Sequence, residues 1–284
     1  MITGWARMRP DLAALCTEPV IMARSASGRQ DAGMADVAVH TSITDRVAVL
    51  TLSYPARRNA LNIALSALLA EAVHAAEADD GVGAIVVTGE DPAFCAGGDL
   101  GELATADPAA LKTVYAGFLA VAESPLPTIA AVNGAAVGAG LNLALAADLR
   151  LAGPRASFDS RFLQLGLHPG GGYTWMVQRV LGPQGAAALT LFGEAVDATE
   201  AARIGLVHRV VDDVVGEAVV MAARAAAASR ELAVATKGSM RLTAGMTTQA
   251  AAVEVEVRAQ AESVRSDEFK EKLAALQARI AGGR

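Results

Sequence analysis

Residues 124–147 read SPLPTIAAVNGAAVGAGLNLALAA, 24 positions without a single charged side chain. About 20 apolar residues suffice to span a bilayer, so on hydropathy alone this stretch competes for a membrane reading. Pro125, Pro127, the polar Ser124, Thr128, Asn133 and Asn142, and the glycines at 134, 138 and 140 break that reading. What remains is a short apolar run, a glycine-rich break and a second apolar run. That order predicts a buried strand, a tight loop and a buried helix. The membrane span is rejected.

Working outward, apolar runs predict strands at 46–52 (RVAVLTL), 83–89 (GAIVVTG), 128–134, 149–153 (LRLAG) and 206–211 (LVHRVV). Between them, Leu65, Leu68, Leu69, Ala72, Val73 and Ala76 recur at three- and four-residue steps, which predicts a helix over 62–80 capped by Asn62. A second helix is predicted over 108–123, opened by Asp107 and Pro108. Alternating strands and helices predict an α/β fold with a buried parallel sheet. From about residue 214 the pattern is almost entirely helical, which predicts a segment that packs on a partner subunit. The organisation read from the sequence is therefore a flexible extension over 1–33, a core over 34–213 carrying the site, and a helical region over 214–284.

The chain has 284 residues, 53% hydrophobic and 19% charged, which excludes intrinsic disorder. At this length folding buries about three quarters of the unfolded surface without disulfides or metals. The net charge of −6 excludes the basic footprint needed to hold a nucleic-acid backbone. Aromatics at 4% are too few for base-stacking platforms. Two cysteines, Cys16 and Cys95, make no disulfide framework, and a reducing, cytoplasmic setting is expected. Near the N-terminus, LAALCTEPVIMA (12–23) is broken as a signal segment by Glu18 and Pro19. Arg7, Arg9, Arg24 and Arg29 resemble a transit peptide, but Asp11, Glu18 and Asp31 argue against one; Met34 is an alternative start.

Common nucleotide and hydrolase motifs are missing: no third glycine completes Gly138-Ala139-Gly140, and there is no Walker lysine, G-x-S-x-G or H-E-x-x-H. His40, His74, His168 and His208 lack metal-ligand spacing, so no metal is expected. Two glycine turns remain, Phe94-Cys95-Ala96-Gly97-Gly98-Asp99-Leu100 and Asn133–Gly140. A turn poor in side chains at a helix start aims free backbone N–H groups at whatever lies ahead of it. Two facing turns would polarise one carbonyl oxygen from both sides, where each donor is worth about 2.7–4 kcal/mol in barrier. The same small residues also serve tight strand–helix packing.

These residues resemble the crotonase superfamily, the enoyl-CoA hydratase/isomerase family. The blocks carrying the likeness are YPARRNAL (54–61), FCAGGDL (94–100), AAVNGAAVGAGLNLALAADLRLAG (130–153), LGLHPGGG (165–172), ATEAARIGLVHRVV (198–211) and SDEFKEKLAALQAR (266–279). The resemblance implies a spiral of ββα repeats with a helical C-terminal trimerisation region, as a homotrimer or dimer of trimers. It implies an acyl-CoA or enoyl-CoA thioester ligand, with coenzyme A as part of the substrate and no separate cofactor. It places the thioester oxygen between the N–H groups of Gly98 and Ala139. It sets the adenine end near Ala60, Ala96 and Leu100, with Asp99 anchoring the turn and Arg57 and Arg58 near the phosphates.

The chain departs from the hydratase pattern at two positions. Hydratases of this family deliver water with two glutamates; carried onto this sequence, their places hold Asn142 and Phe162. A neutral amide cannot take a proton from water, and a phenyl ring only shapes a wall. His168 and Asp159 are the replacement acid/base candidates, with Arg161 a partner for Asp159, and Tyr173 and Trp175 candidates for core packing or an acyl tunnel. The expected activity is hydratase-like enolate stabilisation. The rivals are another reaction of the family (isomerisation, decarboxylation or thioester hydrolysis) and acyl-CoA binding without catalysis.

Overall fold

A computed structural model describes residues 37–282. The expected extension over 1–33, with Cys16 and Met34, lies outside the described residues. The chain opens with strands β1 (Ala38–Thr44) and β2 (Val47–Ser53), helix α1 (Ile63–Ala78), strands β3 (Ala84–Gly89) and β4 (Ala93–Cys95), and helices α2 (Leu100–Leu103) and α3 (Pro108–Glu123). Strands β5 (Thr128–Val132) and β6 (Ala135–Val137), helix α4 (Ala139–Ala146), and strands β7 (Leu149–Ala152) and β8 (Ser157–Asp159) follow. Next come α5 (Tyr173–Thr190), β9 (Val196–Asp197), α6 (Ala198–Arg203) and β10 (Arg209–Val210). The chain closes on helices α7 (Val214–Ala226), α8 (Arg230–Thr243), α9 (Gln249–Arg265) and α10 (Asp267–Gly282).

The strands form a six-stranded sheet, ordered β1-β2-β3-β5-β7-β10, and a four-stranded sheet, ordered β4-β6-β8-β9. From β2 onward the larger sheet is parallel, and β2, β3 and β5 are buried along almost their whole length. Side chains alternate between its faces, as strand geometry demands. Ala48, Leu50, Leu52, Ile85, Val87, Ala130 and Val132 pack with α1, α3 and α4. Their neighbours Val47, Val49, Ala84, Val86, Ile129 and Ala131 pack instead against Val214, Ala218, Ala222 and Ala226 of α7.

The helix starts follow the expected caps. The Asn62 side chain accepts from Leu65 N at 2.7 Å and the Asp107 side chain accepts from Ala110 N at 2.8 Å. Where α1 crosses α3, Ser66 Oγ donates to Val114 O (2.7 Å) and accepts from Gly117 N (2.8 Å).

The decisive stretch 124–147 departs from its reading in one respect. It makes two strands before the helix, because the chain leaves β5 in one sheet and enters β6 in the other. Asn133 holds this crossing point, its amide donating to Gly89 O at 2.8 Å. The three-residue strands β4, β6 and β8 are too short to show a period, and β1 is largely exposed, so none was visible as an apolar run. The strand expected over 206–211 is only the two-residue β10.

α8 is fastened by cations meeting carbonyls left free at chain turns and helix ends. Arg230 donates to the carbonyls of Glu77, Asp79 and Val82 after α1, and Arg241 to those of Ala122, Glu123 and Ser124 at the end of α3. Buried Lys237 donates to Leu126 O at 2.6 Å and pairs with Asp148 at 2.5 Å. Burial pushes its ammonium below the usual lysine range, with the Asp148 carboxylate opposing. No helix among the described residues is long and apolar enough to cross a membrane.

Three substitutions test these contacts by urea unfolding. A Cβ on Gly140 would fall 2.1 Å from Cys95 O, so Gly140→Ala is expected to cost about 1–3 kcal/mol. Gly238 in α8 has nothing within 4 Å of that position, and Gly238→Ala is expected to stabilise by about 0.5–1 kcal/mol. Lys237→Ala removes the donor from Leu126 O and is expected to cost about 1–3 kcal/mol. An unchanged unfolding midpoint for Gly140→Ala would remove the close approach of α4 to β4 from the argument.

Candidate functional site

β4 and β6 run parallel and hydrogen-bonded, Ala93 opposite Ala135 and Cys95 opposite Ala136. The two glycine turns therefore leave the four-stranded sheet side by side at the same end. The first is held from outside: Leu61 N donates to Gly97 O at 2.7 Å and Asp99 N donates to Leu61 O at 2.8 Å. This parallel bridge uses the groups flanking Gly98 and turns the N–H of Gly98 itself to the other side. In the second turn Gly138 adopts φ 50° and ψ −111°, a conformation open to glycine, and sends the chain into α4. Ala139 is then the first helical residue, whose N–H has no intrahelical acceptor.

Both turns border a cavity of about 260 Å³. Of the expected site residues, Ala96, Gly98, Leu100, Ala139, Asn142, Phe162 and His168 line it. Ala60, Asp99 and Asp159 do not. Ala60 is buried beside the first turn, where Ala96 N donates to Arg58 O at 3.0 Å. Asp99 caps α2 by accepting from Gly101 N and Glu102 N, and stands 4.0 Å from the exposed Arg57.

Asp159 is buried and committed elsewhere. Its Oδ1 accepts from Arg161 N at 2.8 Å, and its Oδ2 accepts from both Nε (2.8 Å) and Nη2 of Arg161. The carboxylate holds Arg161 at φ 54° and raises its guanidinium pKa, while Arg161 takes the place on the cavity wall. As an acid or base facing the cavity, Asp159 is thus replaced by its own ion-pair partner.

His168 reaches the wall from the loop before α5, and its Nδ1 lies 2.7 Å from Pro169 O. A carbonyl only accepts, so Nδ1 is the donor in this contact, which leaves Nε2 as the ring nitrogen able to accept. Asn142, only 2% exposed, donates from Nδ2 to Gly170 O at 2.9 Å. That bond fixes the amide's orientation, and its Oδ1 finds no donor among the described residues. Phe162 forms an apolar wall against Tyr173, ring centroids 5.1 Å apart. Tyr173 is core and Trp175 is 60% exposed beneath Arg179, so neither borders the cavity.

Several lining residues were not foreseen, Leu103, Val114 and Tyr115 among them. Tyr115 of α3 lies on the wall, and its hydroxyl sits where a Cβ on Gly170 would come within 2.3 Å. Its place in a regular helical pattern gave no sign of its direction; the only available signal was the glycine run at 170–172. Burial pushes the Tyr115 phenol pKa up, so it stays protonated. Cys95 is fully buried behind the first turn, its thiol pushed up to about 12 by desolvation, which makes it no nucleophile. None of the described residues lining the cavity is Asp or Glu. Among the described residues no three His, Cys, Asp or Glu side chains gather to hold a metal.

The sequence profile of a family described as enoyl-CoA hydratase/isomerase matches residues 42–279. The chain is 53% identical over 247 residues to the probable enoyl-CoA hydratase EchA14 of Mycobacterium tuberculosis H37Rv, covering 84% of this chain and 96% of that protein. It is 38% identical over 176 residues to the 1,2-epoxyphenylacetyl-CoA isomerase of Escherichia coli K12, covering 59% of this chain and 67% of the isomerase. A crystal structure of enoyl-CoA hydratase subunit I from Geobacillus kaustophilus superposes with a TM-score of 0.79 at 30% identity, covering 86% of this chain and 96% of that one. On this evidence the chain belongs to the enoyl-CoA hydratase/isomerase family of the crotonase superfamily.

Proposed function

We propose that this protein binds an acyl-CoA thioester in the cavity and stabilises its enolate, with the N–H groups of Gly98 and Ala139 as the oxyanion donors. The observation that carries the reading is the pair of glycine turns delivered side by side by β4 and β6, both opening on one cavity. Backbone N–H groups placed where charge develops are strong stabilisers because they need no reorganisation. Coenzyme A is then the handle of the substrate, held along Ala60, Ala96 and Leu100 with Arg57 and Arg58 towards the phosphates, and no further cofactor takes part. Asn142 and Phe162 occupy the places of the hydratase glutamates.

Without a carboxylate on the wall, paired-glutamate delivery of water is unsupported, and a single base is left. His168 Nε2 takes a proton from C2 of the thioester, and the negative charge passes to the oxygen between the two N–H groups. Returning the proton at C4 of a 3-enoyl thioester gives the conjugated 2-enoyl isomer with no atom gained or lost. One group can serve both transfers, whereas hydration needs water activated while carbon is protonated.

The non-catalytic reading rests on the same absence of carboxylates. Residues 34–213 form the site-bearing core and 214–284 the assembly region in this reading. Exposed Val253, Val257, Phe269, Leu273 and Leu276 on α9 and α10 support a homotrimer or dimer of trimers. The setting is cytoplasmic.

Two variants test the chemistry with 3-butenoyl-CoA, following the rise of conjugated enoyl-thioester absorbance. His168→Ala is expected to lower kcat about 10²–10⁴-fold with KM little changed. Ala139→Pro removes one oxyanion N–H at a helix position that accepts proline, and is expected to lower kcat about 10²–10³-fold. Saturable binding without turnover would favour the non-catalytic reading. Absence of any CoA-ester binding would sink the thioester reading altogether.

A further inference from the structure

Arg161 stands in the left-handed region at φ 54°, a conformation uncommon for a side chain of its size. Such strain persists where the surroundings hold it, and it gathers at ligand sites. Here one carboxylate holds it: Asp159 accepts from Arg161 N and Nε at 2.8 Å each, and from Nη2. The two partners differ in exposure, the Asp159 side chain being 10% exposed and the Arg161 side chain 52%. Arg161 lines the cavity and Asp159 does not. A guanidinium carries five N–H donors, which form two forked edges. Asp159 takes the edge made by Nε and Nη2. The other edge, Nη1 with the second N–H of Nη2, meets no acceptor among the described residues. No Asp or Glu among the described residues lines the cavity, so its wall offers that edge no anion.

We propose that the open edge of Arg161 binds a carboxylate on the acyl chain, so that the ligand class is the mono-thioester of a short dicarboxylic acid. Two parallel donors match the two oxygens of a carboxylate, a pairing that is stronger and more directional than a neutral hydrogen bond. The place of the carboxylate on the chain follows from the sheet. Asp159 lies opposite Val137 where β6 and β8 pair, and its carbonyl oxygen accepts from Gly138 N at 2.9 Å. Arg161 therefore leaves the sheet beside the turn that ends in Ala139, and its side chain reaches groups a few bonds from the thioester carbon. The inference rests on the thioester reading and adds a substrate class to it. Arg161 is then a specificity residue, with no part in proton transfer. Asp159 sets its direction from behind, and the ligand supplies the second anion.

The test uses calorimetric titration of succinyl-CoA, glutaryl-CoA and adipyl-CoA, each against the half-amide thioester of the same acid. The amide keeps the shape of the carboxylate and removes its charge, and these saturated esters carry no double bond to move. The native chain is expected to bind at least one dicarboxylic ester about tenfold more tightly than its half-amide. That preference is expected to shrink as salt is added. Arg161→Met is expected to bring the ratio to within about twofold while half-amide binding persists, which also reports that the variant is folded. The double variant Asp159→Asn/Arg161→Met, which leaves no buried carboxylate without its partner, is expected to do the same. Arg161→Lys keeps the charge without the fork and is expected to lower the ratio about threefold. Ratios near one for all three acids in the native chain overturn the carboxylate site and leave the thioester reading standing. A native preference that survives both methionine variants assigns the cation elsewhere and overturns it too. If Arg161→Met does not fold, the double variant and Arg161→Lys decide. Absence of all CoA-ester binding in the native chain removes both readings together.

Discussion

The approach of the first turn of α4 to β4 is the constraint on which the rest of the site depends. Gly140 lies so near Cys95 O that no Cβ fits between them. Because the helix can sit there, β6 can pair with β4, and the turns following both strands emerge together. The bridge from Leu61 then fixes the first turn from a separate part of the chain and turns the N–H of Gly98 away from itself. The groups brought together are backbone N–H groups, so the side chains around them must be small. The scarcity of charge over 124–147 follows from that requirement. The membrane-like hydropathy of the stretch is thus a by-product of close packing around a backbone site.

The remaining layers divide their tasks by chemistry. The parallel sheet is closed by apolar contacts on both faces, against α1, α3 and α4 on one side and α7 on the other. α8 is attached by cations instead. Arg230, Lys237 and Arg241 meet carbonyls that helix and strand ends leave free. In a chain this apolar, cation-to-carbonyl contacts give direction to a helix that hydrophobic burial alone would leave free to slide. Lys237 shows the cost of that direction, since burial opposes its charge and Asp148 must compensate.

Much of this was legible in the sequence, and the limits have physical causes. The strands β2, β3 and β5 were visible because both of their faces are buried, which writes a continuous apolar run. The caps Asn62 and Asp107 were visible because capping needs particular side chains at particular places. β4, β6 and β8, three residues each, were not, because pairing within the second sheet is set by backbone proximity. In the site, glycines marked the two turns, and the loop carrying His168 was placed by the family resemblance of its block 165–172. The pairing of Asp159 with Arg161 was legible, but sequence does not tell which member of an Asp–Arg pair faces a cavity; here the carboxylate is the buried one. Tyr115 was overlooked since a helix pattern gives periodicity but not the angle at which one phenol meets a loop forty or more residues away.

A wall without carboxylates has a consequence of its own. An enolate oxygen bound between two N–H groups is an anion in a small, largely apolar cavity, where charges interact more strongly than in water. A carboxylate on the same wall would repel it, and each carboxylate that a hydratase places there must be offset by its task of moving water. Here Asp159 is withdrawn and neutralised by Arg161, which turns a positive group towards the cavity. Asn142 offers an acceptor of similar size to a carboxylate without its charge. Under the proposed reading the site keeps the features that stabilise a thioester enolate and has lost those that would deliver water across a double bond. Asn142 then marks the change in chemistry: it is an uncharged acceptor, its amide fixed by the Gly170 carbonyl, one helical turn from the oxyanion N–H of Ala139.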